Sequence, residues 1–257
     1  MLRALLERDI VPDLVLGTSV GALNGALVAR QPDVSVVDRL TELWASTARG
    51  RDVYGDRALR TVRRAVSTGT HIYSSQPLRT RLEEELGDAR FEDLPVRLQV
   101  CAASIERAAE HWFSSGPVVP AILASAAVPG LLPPAEVDGE HFLDGGLVNS
   151  IPVSRAVELG ATRVFVLQVG RIDRPLRVPT KPWEVARVSF EVARRHRFTR
   201  DMATIPEGVE AHVLPAAGTS SRDDSLLAHR DFGSVQRRID ATYAASRAYL
   251  DDRLGRP

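Results

Sequence analysis

A short apolar run, Leu14-Val15-Leu16, leads straight into Gly17-Thr18-Ser19-Val20-Gly21, and residues 20–30 then read as a helix rich in small side chains. An apolar strand that turns at once into a helix confines the chain to folds in which helices cover a sheet. The pentapeptide is G-x-S-x-G, which in strand–turn–helix context is the pattern of a nucleophile elbow. Its chemistry needs glycines at the flanks, because the turn is tight and backbone or substrate must approach closely. Ser19 would stand at the N-terminus of the helix, where N–H groups and the helix dipole favour developing negative charge. Taken alone, the same residues are as well explained by a packing face of Gly17, Gly21 and Gly25, with Ser19 incidental.

The rest of the chain alternates helical and strand patterns, which argues for a mostly parallel α/β sheet. Leu2, Leu5 and Leu6 share one face of an N-terminal helix, and Val36, Leu40, Leu43 and Trp44 share one over 33–47. Residues 74–87 begin with a polar cap and an early proline and stop at glycine, so they predict a helix. Strands are predicted at 96–104, 109–116, 163–170 and 210–216, and long helices at about 182–203 and 231–252. Segment 50–72 is the least legible and is expected to form a lid-like helical insertion.

At 257 residues the chain is long enough for one large domain with a substantial core, or for two small ones. Its 33 basic and 33 acidic side chains cancel, so no global basic field attracts nucleic acid or an anionic membrane. Cys101 is the only cysteine, which removes disulfide frameworks and thiolate metal clusters together. Glu7, Asp9 and Asp13 interrupt the N-terminal apolar residues, so no signal-peptide core is present there. Pro12, Asp13 and Asn24 argue against a transmembrane span over 10–29. The expectation is a cytoplasmic protein.

The second chemical candidate lies in HFLDGGLVNSIP, residues 141–152, where Asp144 ends a short apolar run before Gly145 and Gly146. Asp-Gly is a common turn dipeptide, but an acid at a sharp turn beside a sheet end can also orient and deprotonate a serine. GTSVG at 17–21, ASAAVPGLLPP at 124–134 and DGGLVNSIPV at 144–153 together resemble the patatin-like phospholipase family, in order, over residues 1 to about 169.

That resemblance implies a single three-layer α/β/α domain over 1–257, with helices and a strand from 182 onward. It implies a serine acyl-ester hydrolase of lipids, of phospholipase A or lysophospholipase type, with peripheral contact at membranes. Ser19 would be the nucleophile and Asp144 the acid–base partner, with Gly17 and Gly21 in the elbow and Gly145 and Gly146 in the acid's turn. The N–H of Val20 would be an oxyanion donor, and neither metal nor cofactor is implied. His71, His111, His141, His196, His212 and His229 share no motif and are expected to be structural. An α/β-hydrolase triad using His212 or His229 is the weaker reading, since such proteins need several strands before the elbow.

The family also carries a strand and a Gly-Gly-Gly-x-Arg/Lys-Gly loop ahead of the serine strand, whose N–H groups form the oxyanion hole. Residues 1–16 contain no glycine. Two expectations follow. Met1 is an internal methionine of a protein that begins about 20 residues earlier, a length taken from typical elements. The alternative is a lipid- or partner-binding protein without turnover. The first is favoured because both Ser19 and Asp144 are present. ARRHRFTR, 193–200, is the most basic run, and a solvated helix face is its simplest account.

Overall fold

In the computed structural model, which describes residues 1–49, 71–168, 175–216 and 232–256, the strand–turn–helix is β1 (Leu14–Thr18) followed by α2 (Val20–Arg30). α1 (Leu2–Leu6) precedes them, and α3 (Ser35–Arg49) and α4 (Gln76–Leu86) follow. α4 carries its expected signals: a proline in the first turn, and Gly87 beyond its end at φ 58°, a conformation glycine adopts at little cost. Its buried face is Leu82 and Leu86, one turn apart. β2 (Arg97–Ser104), β3 (Ala109–Phe113), α5 (Val118–Ser125), β4 (Ala135–Val137) and β5 (Glu140–Asp144) form the centre. α6 (Val153–Glu158), β6 (Arg163–Val166), α7 (Pro182–Ala203), β7 (Glu210–Val213) and α8 (Phe232–Leu254) complete the order. Residues 50–70 lie outside the described residues, so the lid-like insertion expected over 50–72 does too, except for a bridge from His71 to Gly130.

β2 organises the sheet. β1 runs parallel to it, from Leu14 opposite Arg97 to Thr18 opposite Cys101. β5 runs antiparallel to it, from Phe142 opposite Ser104 to Asp144 opposite Ala102. β3 pairs antiparallel with Val100 through Ser104, residues that β1 and β5 also use, so it must occupy the other edge. β1 and β5 therefore share one edge of β2 and run toward each other, their last residues meeting at Cys101 and Ala102. β4 closes a hairpin on β5, and β6 pairs parallel with β7 in a second, two-stranded sheet.

Helices flank the sheets, and the alternation of strand side chains explains how. Leu98 and Val100 of β2 join Val15 of β1 in a core with α2, α3, α4 and α5. Gly25 makes this packing close: a Cβ there would be 2.9 Å from a Val15 methyl. The intervening residue Gln99 turns to the opposite face, where Arg155 of α6 donates to it at 3.1 Å. Val164 and Val166 of β6 pack with Val153 of α6 and Phe198 of α7, while Phe165 packs with α1 and α8. The result is the α/β architecture with helices around a central sheet that the alternating pattern implies.

Candidate active site

The register of β2 brings Ser19 and Asp144 together. Ser19 follows the last residue of β1 and caps α2, with φ 55° and ψ −124°, a backbone conformation that costs a non-glycine residue energy. Its hydroxyl donates to Asp144 Oδ2 at 2.6 Å. Asp144 Oδ1 accepts the N–H of Gly146 at 2.7 Å, so both carboxylate oxygens are engaged. The side chain is almost fully buried, with Asp144 2% exposed. Burial holds its pKa above the ordinary aspartate value, against the opposing pull of the Ser19 and Gly146 hydrogen bonds.

The glycines around the pair separate into two kinds. A Cβ on Gly17 would lie 2.6 Å from the Cα of Ala22 and 2.6 Å from the carbonyl oxygen of Gly21, so the first turn of α2 rests on Gly17. Gly145 is tighter: its Cβ would be 2.2 Å from the carbonyl oxygen of Cys101. A Cβ on Gly146 would meet the Phe190 ring of α7 at 2.6 Å and Asp144 Oδ1 at 2.9 Å. Gly21 differs, with open space where its side chain would be. The protein itself does not require that glycine, and the approach of a substrate is the remaining part of its predicted role. Val20 is half exposed beside Ser19, and its N–H opens α2 where no intrahelical acceptor precedes it.

Several residues at this junction were given no role by the sequence, although they lie within or beside its quoted blocks. Ser125, at the end of α5, accepts the N–H of Ser19 at 2.8 Å and donates to the carbonyl of Cys101 at 2.5 Å. Ala127 accepts the N–H of Asp144 at 2.9 Å. The Thr18 hydroxyl donates to the carbonyl of Asn149 at 2.9 Å, tying the elbow to the segment after the acid. Asn149, fully buried, donates through Nδ2 to Glu110 at 3.0 Å, and Glu110 faces Arg197 of α7 at 3.6 Å. Arg197 also reaches Asp201 at 3.1 Å, so the basic run is not uniformly a solvated face: Arg197 turns inward, and Arg194 and Arg195 pair with Glu191.

The described histidines lie elsewhere. His111 packs with Phe113 and Phe142, and its pKa is lowered mainly by burial. His141 meets Glu106 at 2.7 Å. His212 is stacked on Phe165, 5.0 Å between centroids, with Tyr249 and Glu210 as its polar neighbours. Among the described residues no hydrogen bond joins a histidine to Ser19 or Asp144, and His229 lies outside them. Also among the described residues, no group of three or more His, Cys, Asp or Glu side chains could hold a metal, and no helix is long and apolar enough to cross a membrane. A cavity of about 240 Å³, lined by Arg79, Leu123, Ala127, Leu132 and prolines 133 and 134, is not lined by Ser19 or Asp144.

The patatin-like phospholipase profile matches residues 1–157, which contain β1, the elbow, α5 and the Asp144 turn. The chain belongs to the patatin-like phospholipase family. It is similar to a protein of Aspergillus terreus named lysophospholipase nte1, 31% identical over 181 residues, which cover 67% of this chain and 11% of that protein. A lysophospholipase nte1 of Emericella nidulans is likewise 31% identical over 182 residues, with the same shares covered. A Caenorhabditis elegans protein named for a patatin-like phospholipase domain is 29% identical over 174 residues, 67% of this chain and 15% of its own length. The chain thus spans between about a tenth and a seventh of the curated relatives it matches. In this patatin-like chain the three blocks of sequence meet in one place: GTSVG supplies Ser19, ASAA supplies Ser125 and Ala127, and DGG supplies Asp144 with its two obligatory glycines.

Proposed function

We propose that this chain hydrolyses acyl esters of lipids, in the manner of a phospholipase A or lysophospholipase, through Ser19 and Asp144. The observation that carries the reading is the 2.6 Å hydrogen bond from the Ser19 hydroxyl to a buried carboxylate. Asp144 takes the Ser19 proton as the oxygen attacks the ester carbonyl carbon. The tetrahedral intermediate collapses, the bond to the leaving alcohol breaks, and Asp144 returns the proton to that alcohol. Water, deprotonated by Asp144, then attacks the acyl-Ser19 carbonyl, and the fatty acid leaves as Ser19 regains its proton. The oxyanion faces the start of α2. The N–H of Ser19 itself is held by Ser125, which leaves the N–H of Val20 as the donor next to the nucleophile. Relatives named lysophospholipases support a lysophospholipid as the first substrate to try.

The test pairs an organophosphonate probe with a lysophospholipid assay on the wild type and Ser19→Ala. Labelling and fatty-acid release that both vanish in Ser19→Ala support the hydrolase. Release that persists in the variant overturns it. Stoichiometric lipid binding with no Ser19-dependent release would establish instead the competing reading, a lipid-binding chain without turnover.

A further inference from the structure

We propose that Ser125 is a positioning residue that fixes the backbone of the nucleophile, and that Ser125 to Ala127 set the spacing between Ser19 and Asp144. The effect on rate rests on the hydrolase reading above; the effect on the backbone does not.

The argument begins where β1 ends. Thr18 is the last residue of β1 in register with β2, opposite Cys101. Beyond it the chain must leave the sheet and start α2 within one residue, and Ser19 does so at φ 55°. Leaving the ladder separates two backbone groups inside the protein, the N–H of Ser19 and the C=O of Cys101. Each is costly to bury unpaired. The Ser125 hydroxyl joins them, accepting from Ser19 N–H at 2.8 Å and donating to Cys101 C=O at 2.5 Å. A hydroxyl suits this position because it accepts and donates at a single atom. Ser125 is 0% exposed, so it makes this bridge out of contact with solvent.

Two residues further on, the carbonyl of Ala127 accepts the N–H of Asp144 at 2.9 Å. One three-residue segment therefore holds the backbone of both members of the pair. The arrangement also decides which N–H groups face a substrate: the N–H of Ser19 is consumed by Ser125, and that of Val20 is not involved. An apolar residue at 125 frees the Ser19 backbone to relax from its strained conformation, and the hydroxyl then swings from Asp144. A misplacement of about 1 Å costs on the order of 10²-fold in rate.

The experiment is Ser125→Ala, read by kcat and KM on a lysophospholipid and by site-resolved amide hydrogen exchange at Ser19. The expected result is a kcat lower by about 10²-fold with KM within about twofold of the wild type, and loss of protection at the Ser19 amide while the other β1 amides keep theirs. Leu82→Ala, which empties the core at α4 far from the elbow in sequence, is the stability control and is expected to leave kcat unchanged. A kcat within about threefold of the wild type, or an unchanged Ser19 amide, overturns the proposal. Should Ser125→Ala fail to fold, Ser125→Cys keeps a weak donor and acceptor of similar shape and is judged by the same two readouts. A wild type without turnover whose Ser19 amide still depends on Ser125 retains the positioning role and removes the hydrolase reading instead.

Discussion

Ser19 and Asp144, 125 positions apart, meet at 2.6 Å because β1 and β5 end head to head on one edge of β2. Sheet register brings the two residues together, and the segment from Ser125 to Ala127 holds the backbone of each in place. Each residue is the first to leave, or the last to remain in, a strand whose preceding residues are hydrogen-bonded into the sheet. A pair built this way is held by many backbone bonds at once, which suits groups whose function depends on a fraction of an ångström.

Replacing Asp144 by Asn separates chemistry from stability. Asn keeps the shape, still accepts from Gly146 and can meet Ser19, but it cannot take a proton. Turnover is expected to fall by about 10²–10⁴-fold, the usual worth of a positioned general base. Stability moves the other way. The folded-state pKa of Asp144 is raised, so the folded protein binds more protons than the unfolded one between the ordinary value and the raised one. Ionising Asp144 therefore costs stability as pH rises through that window. Asp144→Asn is expected to melt higher than the wild type at neutral pH, with the difference closing below pH 3.8, the unperturbed value. Thermal melts of the two proteins across pH check this, and a lower melting point for the Asn variant at pH 7 contradicts it.

The same raised pKa shapes the activity profile. The base form of Asp144 is the ionised one, so kcat/KM is expected to rise with pH along a limb whose midpoint lies above 3.8. A kcat/KM profile of the wild type on a soluble ester measures it. A limb at or below 3.8 would assign the base elsewhere.

Cys101 is expected to be inert in the native protein. It is fully buried opposite Thr18, and burial raises its thiol pKa far above the ordinary value, with the charges of Glu110 and Asp144 adding to the rise. Thiolate is the reactive form, so native protein should take up no thiol reagent over hours, and one equivalent on denaturation. Because the Cys101 carbonyl is the acceptor for Ser125, the rate of thiol labelling also reports how often this junction opens.

Much of this arrangement was legible in the residues, and what was not has a physical reason. The long helix expected at about 182–203 is α7, Pro182–Ala203, and α4 carries the proline and glycine that predict its bounds. α5 was missed: every residue of Val118–Ser125 but Pro120 is buried, and a run whose first seven residues are apolar shows no polar face from which to read a period. The strand expected over 163–170 ends at Val166, with residues 169 and 170 outside the described ones. Ser19 and Asp144 could be singled out because glycines surround them, each leaving a mark in sequence for a close approach. Ser125 and Asn149 act through a hydroxyl and an amide on buried backbone neighbours, and nothing adjacent in the chain records those partners.

Alanine substitutions at Gly145, Gly17 and Gly21, three of the four glycines around the pair, should therefore rank in a definite order. Gly145→Ala would push a methyl to 2.2 Å from the Cys101 carbonyl oxygen, a backbone atom fixed by β2, so it is expected to be the most damaging and to impair folding. Gly17→Ala meets the Ala22 backbone at 2.6 Å at the elbow, and a loss of about 1–3 kcal/mol is expected as α2 shifts away. Gly21→Ala meets nothing within 4 Å and sits in the first turn of a helix, where alanine is favoured over glycine by up to about 1 kcal/mol. Its melting temperature should hold or rise. The space above Gly21 adjoins Ser19, so the cost of that methyl should fall on the substrate, as a higher KM or a lower kcat in a fully folded protein. Denaturant unfolding and kinetics on the three variants test the order. A Gly21→Ala protein that loses stability would place a contact over the elbow that the open space there excludes.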